Sequence, residues 1–131
     1  MIEEIWRPIA GYEGFYEVSN MGFVRSLDRS VPNGLGYKRF RKGQIIKMWP
    51  NSKGYMRCQL SYNNDKKFYL VHRLVAEAFI PKVNGLPEIN HKDEDKTNNS
   101  VDNLEWCDRK YNNNYGNRLK KVIDTIKNRN V

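Results

Sequence analysis

The chain has 131 residues, of which 39% are apolar and 29% charged, and a formal net charge of +8. That length suits one domain, or a small domain with an appendage. No run approaches the roughly 18 apolar residues of a membrane-spanning helix, and the N-terminal MIEEIWRP is acidic and lacks the apolar stretch of a secretory signal. A membrane or exported protein is therefore not expected, and a cytoplasmic one is. Cys58 and Cys107 stand far apart without CxxC spacing, so they are expected as free thiols rather than as a zinc site. Charge is unevenly spread: residues 1–24 carry −3, residues 25–47 carry +6, residues 48–116 carry +1 and residues 117–131 carry +4. Two basic blocks around a nearly neutral middle suit a polyanion held at two places.

In chain order, IWRPIA is a predicted strand ending near Gly11. FYEVSN and FVRSL, joined at Met21-Gly22, predict a hairpin. SVPNGLGYKRFRKG, residues 30–43, combines Pro32 and glycines with basic residues and reads as a loop or loose ribbon that is mobile without a partner. QIIKMW is a further predicted strand, and GYMRCQLSY and KFYLV around Asn63-Asn64-Asp65 predict a second hairpin. The period then changes. HRLVAEAFI places Leu74, Val75, Ala78 and Phe79 on one helical face, and Pro81 ends that helix. LPEINHKDEDKTNNSVDNLEW is a long polar stretch anchored by Leu86, Ile89, Val101, Leu104 and Trp106, a pattern more often functional or disordered than merely connective. Asn98 and Asn99 read as turn formers, and Asp93 and Asp95 as hydrogen-bonding groups of the loop. Asp108 is a candidate N-cap for a short helix over RKYNNNY, closed by Gly116. Residues 117–131 predict a last, basic amphipathic helix with Leu119, Val122, Ile123 and Ile126 on one stripe.

Only two histidines are present, and no phosphate-binding glycine loop or Ser-His-Asp arrangement is evident. INHKD, residues 89–93, followed by DNLEWCDRKYNNN, residues 102–114, is the candidate site. Phosphodiester hydrolysis needs a base for water, and imidazole suits the task because it titrates near neutrality. It also needs positive charge where the leaving oxygen and the phosphorane develop negative charge. Mg²⁺ takes hard oxygen ligands and keeps several waters, so two side-chain oxygens beside the phosphate suffice. Adjacent strand residues face opposite sides, so Asn90 and His91 are expected to need a twist or bulge to serve one site. His72, at the start of the amphipathic helix, reads as structural or as a phosphate contact.

VHRLVAEAFIP…INHKDEDKTNNSVDNLEWCDRKYNNN resembles the HNH endonuclease motif of phage and intron-encoded homing endonucleases. WRPIAGYEGFYEVSNMGFVRS resembles the strand motif that often precedes it. The resemblance implies an α+β fold. Residues 1–50 would be a β-rich DNA-binding region of small antiparallel hairpins, residues 51–116 a ββα-metal nuclease core, and residues 117–131 the basic helix. It implies His91 as general base, Asn90 and Asn112 as ligands of one divalent ion (Mg²⁺ or Mn²⁺), and Asn103 as the asparagine that ties the loop to the hairpin. Relatives often carry Asp before the base. The neutral Asn90 binds a cation more weakly than a carboxylate would, so weak metal binding is expected. Duplex DNA is the implied partner, contacted by Arg25, Arg29, Lys38, Arg39, Arg41, Lys42, Lys120 and Lys121. One site in a monomer implies a nick, in the cytoplasm of a bacterial host. Two rival readings are a DNA-binding protein with a degenerate HNH unit and an RNA-directed module, the latter prompted by aromatic residues beside basic ones.

Overall fold

The computed structural model describes residues 3–32, 34 and 36–115. The architecture is α+β, built from small antiparallel sheets around one helix. The first sheet holds β1 (Trp6–Pro8), β2 (Tyr16–Ser19) and β3 (Val24–Ser26) in the order β1-β2-β3. β4 (Arg29–Pro32) and β5 (Lys38–Arg41) form a separate two-stranded ribbon with Arg29 opposite Arg41. The segment read as a loop or loose ribbon is therefore a ribbon of paired strands. β6 (Trp49–Pro50), β7 (Met56–Tyr62) and β8 (Asp65–Leu70) make the second three-stranded sheet. The β7–β8 hairpin closes through Asn63 and Asn64, with φ of 50° and 66°. Both central residues of a two-residue turn sit in the left-handed region, where asparagine is tolerated best.

The predicted strand over QIIKMW is not a full strand. Ile45 makes one isolated bridge to Arg25, with Ser26 N–H donating to Gln44 O (2.8 Å) and Ile46 N–H to Val24 O (2.8 Å). Only Trp49 of that run enters the ladder with β7. Ile46 and Met48 pack partly against the core while Ile45 is 59% exposed, so the run is held by its side chains with a single bridge to β3. The approach is close enough that a side chain at Gly43 would run into the Ser26 carbonyl.

α1 (Val71–Phe79) follows β8 directly and lies at the centre, touching β2, β7, β8, β9 (Glu88–His91) and β10 (Leu104–Cys107). Val71, Leu74, Val75 and Ala76 are buried, and Ala78 and Phe79 are half-buried against the same core. One cluster joins Ile9, Tyr16, Val18 and Val24 from the first sheet to Cys58, Leu60 and α1, and on to Ile89, Leu104 and Trp106. Polar ties reinforce it. Arg7 Nη1 donates to Ala78 O (2.8 Å) and Trp106 Nε1 to Ile80 O (3.1 Å). Cys58 and Cys107 are free and buried, and burial pushes the Cys58 thiol up to about 12. Leu60 is fully buried in this cluster. Leu60→Ala is expected to cost about 2–5 kcal/mol of stability, measurable by urea denaturation.

β9 and β10 form an antiparallel hairpin, and α2 (Arg109–Asn114) packs against β9. Asp108 caps α2, its Oδ1 accepting from Tyr111 N–H at 2.7 Å. The segment 117–131, the Gly116 closure, Lys120 and Lys121 lie outside the described residues. No helix among those described is long and apolar enough to cross a membrane.

Candidate active site

The β9–β10 ladder pairs Glu88 with Cys107, Ile89 with Trp106, Asn90 with Glu105 and His91 with Leu104. The expected bulge is not there: pairing runs in register to the strand end. Asn90 and His91 therefore face opposite sides of the hairpin, and His91 is the last paired residue before the chain turns. Glu94, at φ 64°, makes that turn, with its N–H donating to His91 O at 2.9 Å.

His91 points toward α1 and is only 5% exposed. Its ring lies 5.1 Å from that of His72 and 6.0 Å from that of Tyr55, centroid to centroid. Nε2 meets Asn99 Oδ1 at 2.8 Å. An amide oxygen only accepts, so Nε2 carries a proton, and in the neutral ring Nδ1 then keeps the lone pair. The ring is thereby set in the tautomer that can take a proton at Nδ1. Asn99, read from sequence as a turn former, is instead a buried side-chain partner of the imidazole.

The opposite face carries the amides. Asn90 Nδ2 donates to Glu105 Oε1 at 2.9 Å, and Asn112 Nδ2, from α2, donates to Glu88 Oε1 at 3.2 Å. Glu88 and Asn90 are two residues apart on β9 and so share this face. With each nitrogen turned to a glutamate, each Oδ1 is the end left to coordinate. Neutral hard oxygens backed by two carboxylates suit Mg²⁺ or Mn²⁺. Among the described residues no group of three His, Cys, Asp or Glu side chains is placed to hold a metal ion. Glu105 also accepts from the Tyr111 hydroxyl, which raises that phenol.

Asn103 ties the intervening loop together. Its Nδ2 donates to Asp93 Oδ1 (2.8 Å) and Asn98 O (2.9 Å), and its Oδ1 accepts from Asp93 N–H (2.9 Å). The side-chain amide of Asn98 and the backbone N–H of Asp95 also donate to Asp93 and hold its carboxyl below the usual range. Asp95 in turn accepts from Thr97 Oγ1 at 2.6 Å. Both aspartates are engaged as loop hydrogen-bonding groups.

Beside the hairpin a cleft of about 510 Å³ is lined by Lys53, Tyr55, His72, Arg73, Lys96 and Asn112, among others. Lys96 reaches across it, its Nζ donating to Lys53 O (2.8 Å) and lying 4.6 Å from the Tyr55 ring centroid. His72 is 6% exposed and its Nδ1 has no hydrogen-bond partner. Burial, then the neighbouring His91 and Arg73, push its pKa down to about 3. The unfolded chain takes that proton near pH 6.5, the folded chain only near 3. This group's effect is therefore nil above pH 6.5, and stability falls with pH between 6.5 and 3. The slope is about 1.4 kcal/mol per pH unit, so from pH 6.5 to pH 5 about 2 kcal/mol of stability is lost. Urea denaturation of wild type and His72→Gln at both pH values isolates it, because the variant lacks this component of the slope.

Residues 4–61 match the NUMOD4 motif and residues 69–114 match the HNH endonuclease family. An uncharacterized HNH endonuclease of Acanthamoeba polyphaga mimivirus is 39% identical over 120 residues, covering 90% of this chain and 32% of that protein. The DNA endonuclease I-HmuI of Bacillus phage SP01 is 36% identical over 107 residues, covering 82% of this chain and 54% of that protein. A solved structure described as DNA binding and cleavage by the HNH homing endonuclease I-HmuI matches with a TM-score of 0.66 and 34% identity, over 95% of this chain and 68% of that one. The chain belongs to the HNH homing endonuclease family. It spans about a third and about half of these two curated relatives.

Within this HNH chain the basic residues singled out from sequence fall into two groups. Lys38, Arg39, Arg41 and Lys42 are exposed on or just after β5, beside Tyr37 and Phe40, which are 72% and 64% exposed. Arg25 and Arg29 are already engaged. Arg25 pairs with Glu17 at 2.6 Å and lies 4.1 Å from the Trp6 ring centroid. Arg29 lies over Phe15 and Tyr16, 5.4 and 5.6 Å from their centroids. Sequence reasoning passed over Glu88, Glu105 and Tyr55. Strand alternation was a usable signal for Glu88, since it must share a face with Asn90. Glu105 and Tyr55 depend on pairing and packing that spacing does not reveal.

Proposed function

We propose that this chain is a divalent-metal-dependent DNA endonuclease that nicks one strand of duplex DNA as a monomer, in the cytoplasm of a bacterial host. The observation that carries the reading is the His91 imidazole, fixed through Nε2 on Asn99 Oδ1 (2.8 Å) at the end of a hairpin whose other face presents the Asn90 and Asn112 amides. In this reading Nδ1 of His91 takes the proton of an attacking water as its oxygen bonds to phosphorus and the 3′ oxygen leaves. A Mg²⁺ or Mn²⁺ ion held by Asn90 and Asn112 would supply positive charge for the leaving oxygen. Asn103 keeps the loop after His91 closed and so holds the strand end in place. Lys53, Arg73 and Lys96 line the cleft beside the hairpin and supply positive charge to the backbone of the strand being cut.

The β4–β5 ribbon has the dimensions of a two-stranded element that the major groove admits. Lys38, Arg39, Arg41 and Lys42 contact phosphates or, for the arginines, guanine edges. Replacing all four with alanine is expected to weaken duplex binding and to lower the slope of log K against log salt by about 3–4, read by fluorescence anisotropy at several salt concentrations. The phage relative I-HmuI is a DNA endonuclease, which supports DNA over RNA. The function is tested by pre-forming a tight complex with end-labelled duplex and adding Mg²⁺ or Mn²⁺. One labelled strand should be cut. Intact DNA would make the chain a binder with a degenerate HNH unit, and displacement by structured RNA over duplex DNA would redirect it to RNA.

A further inference from the structure

The partner of His91 is itself held from the other half of the chain. Asn99 is 4% exposed and sits against the turn between β2 and β3, in the region that matches the NUMOD4 motif. Val101 N–H donates to Asn20 O at 2.8 Å. A methyl group at Gly22 would stand 3.0 Å from both the carbonyl carbon and the oxygen of Asn99, and 3.1 Å from its Cβ. Gly22 has φ +92°, so it meets two demands at once: the left-handed turn and the close approach. The turn is firmly set. The fully buried Ser19 accepts through Oγ from Met21 N–H (3.2 Å) and Phe23 N–H (3.1 Å), and its carbonyl accepts from Gly22 N–H (3.1 Å).

We infer that Asn99 is the positioning residue of His91, and that the N-terminal unit, through Asn20 and Gly22, fixes Asn99 and so completes the nuclease site as well as touching DNA. An imidazole in the Nδ1–H tautomer has no lone pair at Nδ1 and cannot act as base there. The Asn99 acceptor selects the useful tautomer, and the 20–22 turn sets where that acceptor stands. A shift of a few tenths of an ångström at Asn99 lengthens a 2.8 Å bond and loosens the ring. This inference rests on His91 being the base, but its first readout does not use cleavage.

The test uses the full chain labelled with ¹⁵N-histidine. With two histidines in the sequence, two ring systems are seen, and His72→Gln assigns them. Long-range proton–nitrogen correlation spectra should show His91 as the Nε2–H tautomer in wild type and in Asn99→Asp, which keeps an acceptor oxygen. Asn99→Leu and Gly22→Ala should show mixed tautomers, with kcat for DNA cleavage at least about tenfold lower and KM unchanged. Thermal melting confirms that the spectra come from folded protein, and a folded but merely destabilised variant would keep the Nε2–H form. An unchanged tautomer in folded Asn99→Leu overturns the proposal alone. A changed tautomer with unchanged kcat removes His91 as base, and the proposal with it.

Discussion

His91→Ala is expected to lower the single-turnover rate of DNA cleavage by about 10²–10⁴, the usual contribution of a positioned general base, while duplex affinity stays within about twofold. Two features of the molecule set this expectation. The imidazole is almost wholly buried and bonded to Asn99, so it is placed for one task rather than for surface charge. Among the described residues the other histidine, His72, is 5.1 Å away ring to ring, but burial pushes its pKa down to about 3, which leaves it a weak base. Quench-flow cleavage of a labelled duplex gives the rate, and anisotropy the affinity. A fall in affinity equal to the fall in rate would point to a binding role for His91.

Asn90→Asp is expected to lower the Mg²⁺ concentration for half-maximal cleavage by tenfold or more, about 1.4 kcal/mol or greater in cation binding. The amide at 90 offers a neutral oxygen, and a carboxylate adds a full charge to the ligand. The same change has a cost without metal. Asn90 Nδ2 now donates to Glu105 Oε1 at 2.9 Å, and an aspartate would place two carboxylates opposite each other on paired strands, a destabilising arrangement. The variant should therefore melt below wild type in chelator and regain stability as Mg²⁺ is added. A metal titration of cleavage and of Tm separates these effects. An unchanged half-maximal concentration would mean that Asn90 does not ligate the ion.

Much of this was legible in the residues, and the exceptions share a cause. The Asn63-Asn64 turn, the amphipathic α1, the Asp108 cap and the anchoring role of Leu104 and Trp106 follow from local chemistry: turn-forming asparagines, period, capping oxygen and apolar spacing. QIIKMW has the composition of a strand, and Ile46 and Met48 do pack against the core, yet backbone pairing is limited to one bridge at Ile45 and to Trp49. The bulge expected at Asn90-His91 is absent, because the ladder stays in register up to His91. Asn99 reads as a turn former because asparagine beside asparagine is commonest in turns. Its partner is eight residues away and the glycine that seats it lies in another unit, and neither distance is encoded in a local pattern. Glu105 and Tyr55 gain their positions from strand register and sheet packing in the same way.

The most direct test of a metal-dependent nuclease site in this chain is conversion of supercoiled plasmid to open circle by the full protein, followed over time with Mg²⁺, with Mn²⁺ and with chelator. The expected result is nicked circles in either metal, little linear product at early times, and no cleavage in chelator. Equal cleavage in chelator, or plasmid that is bound yet intact in both metals, would contradict it.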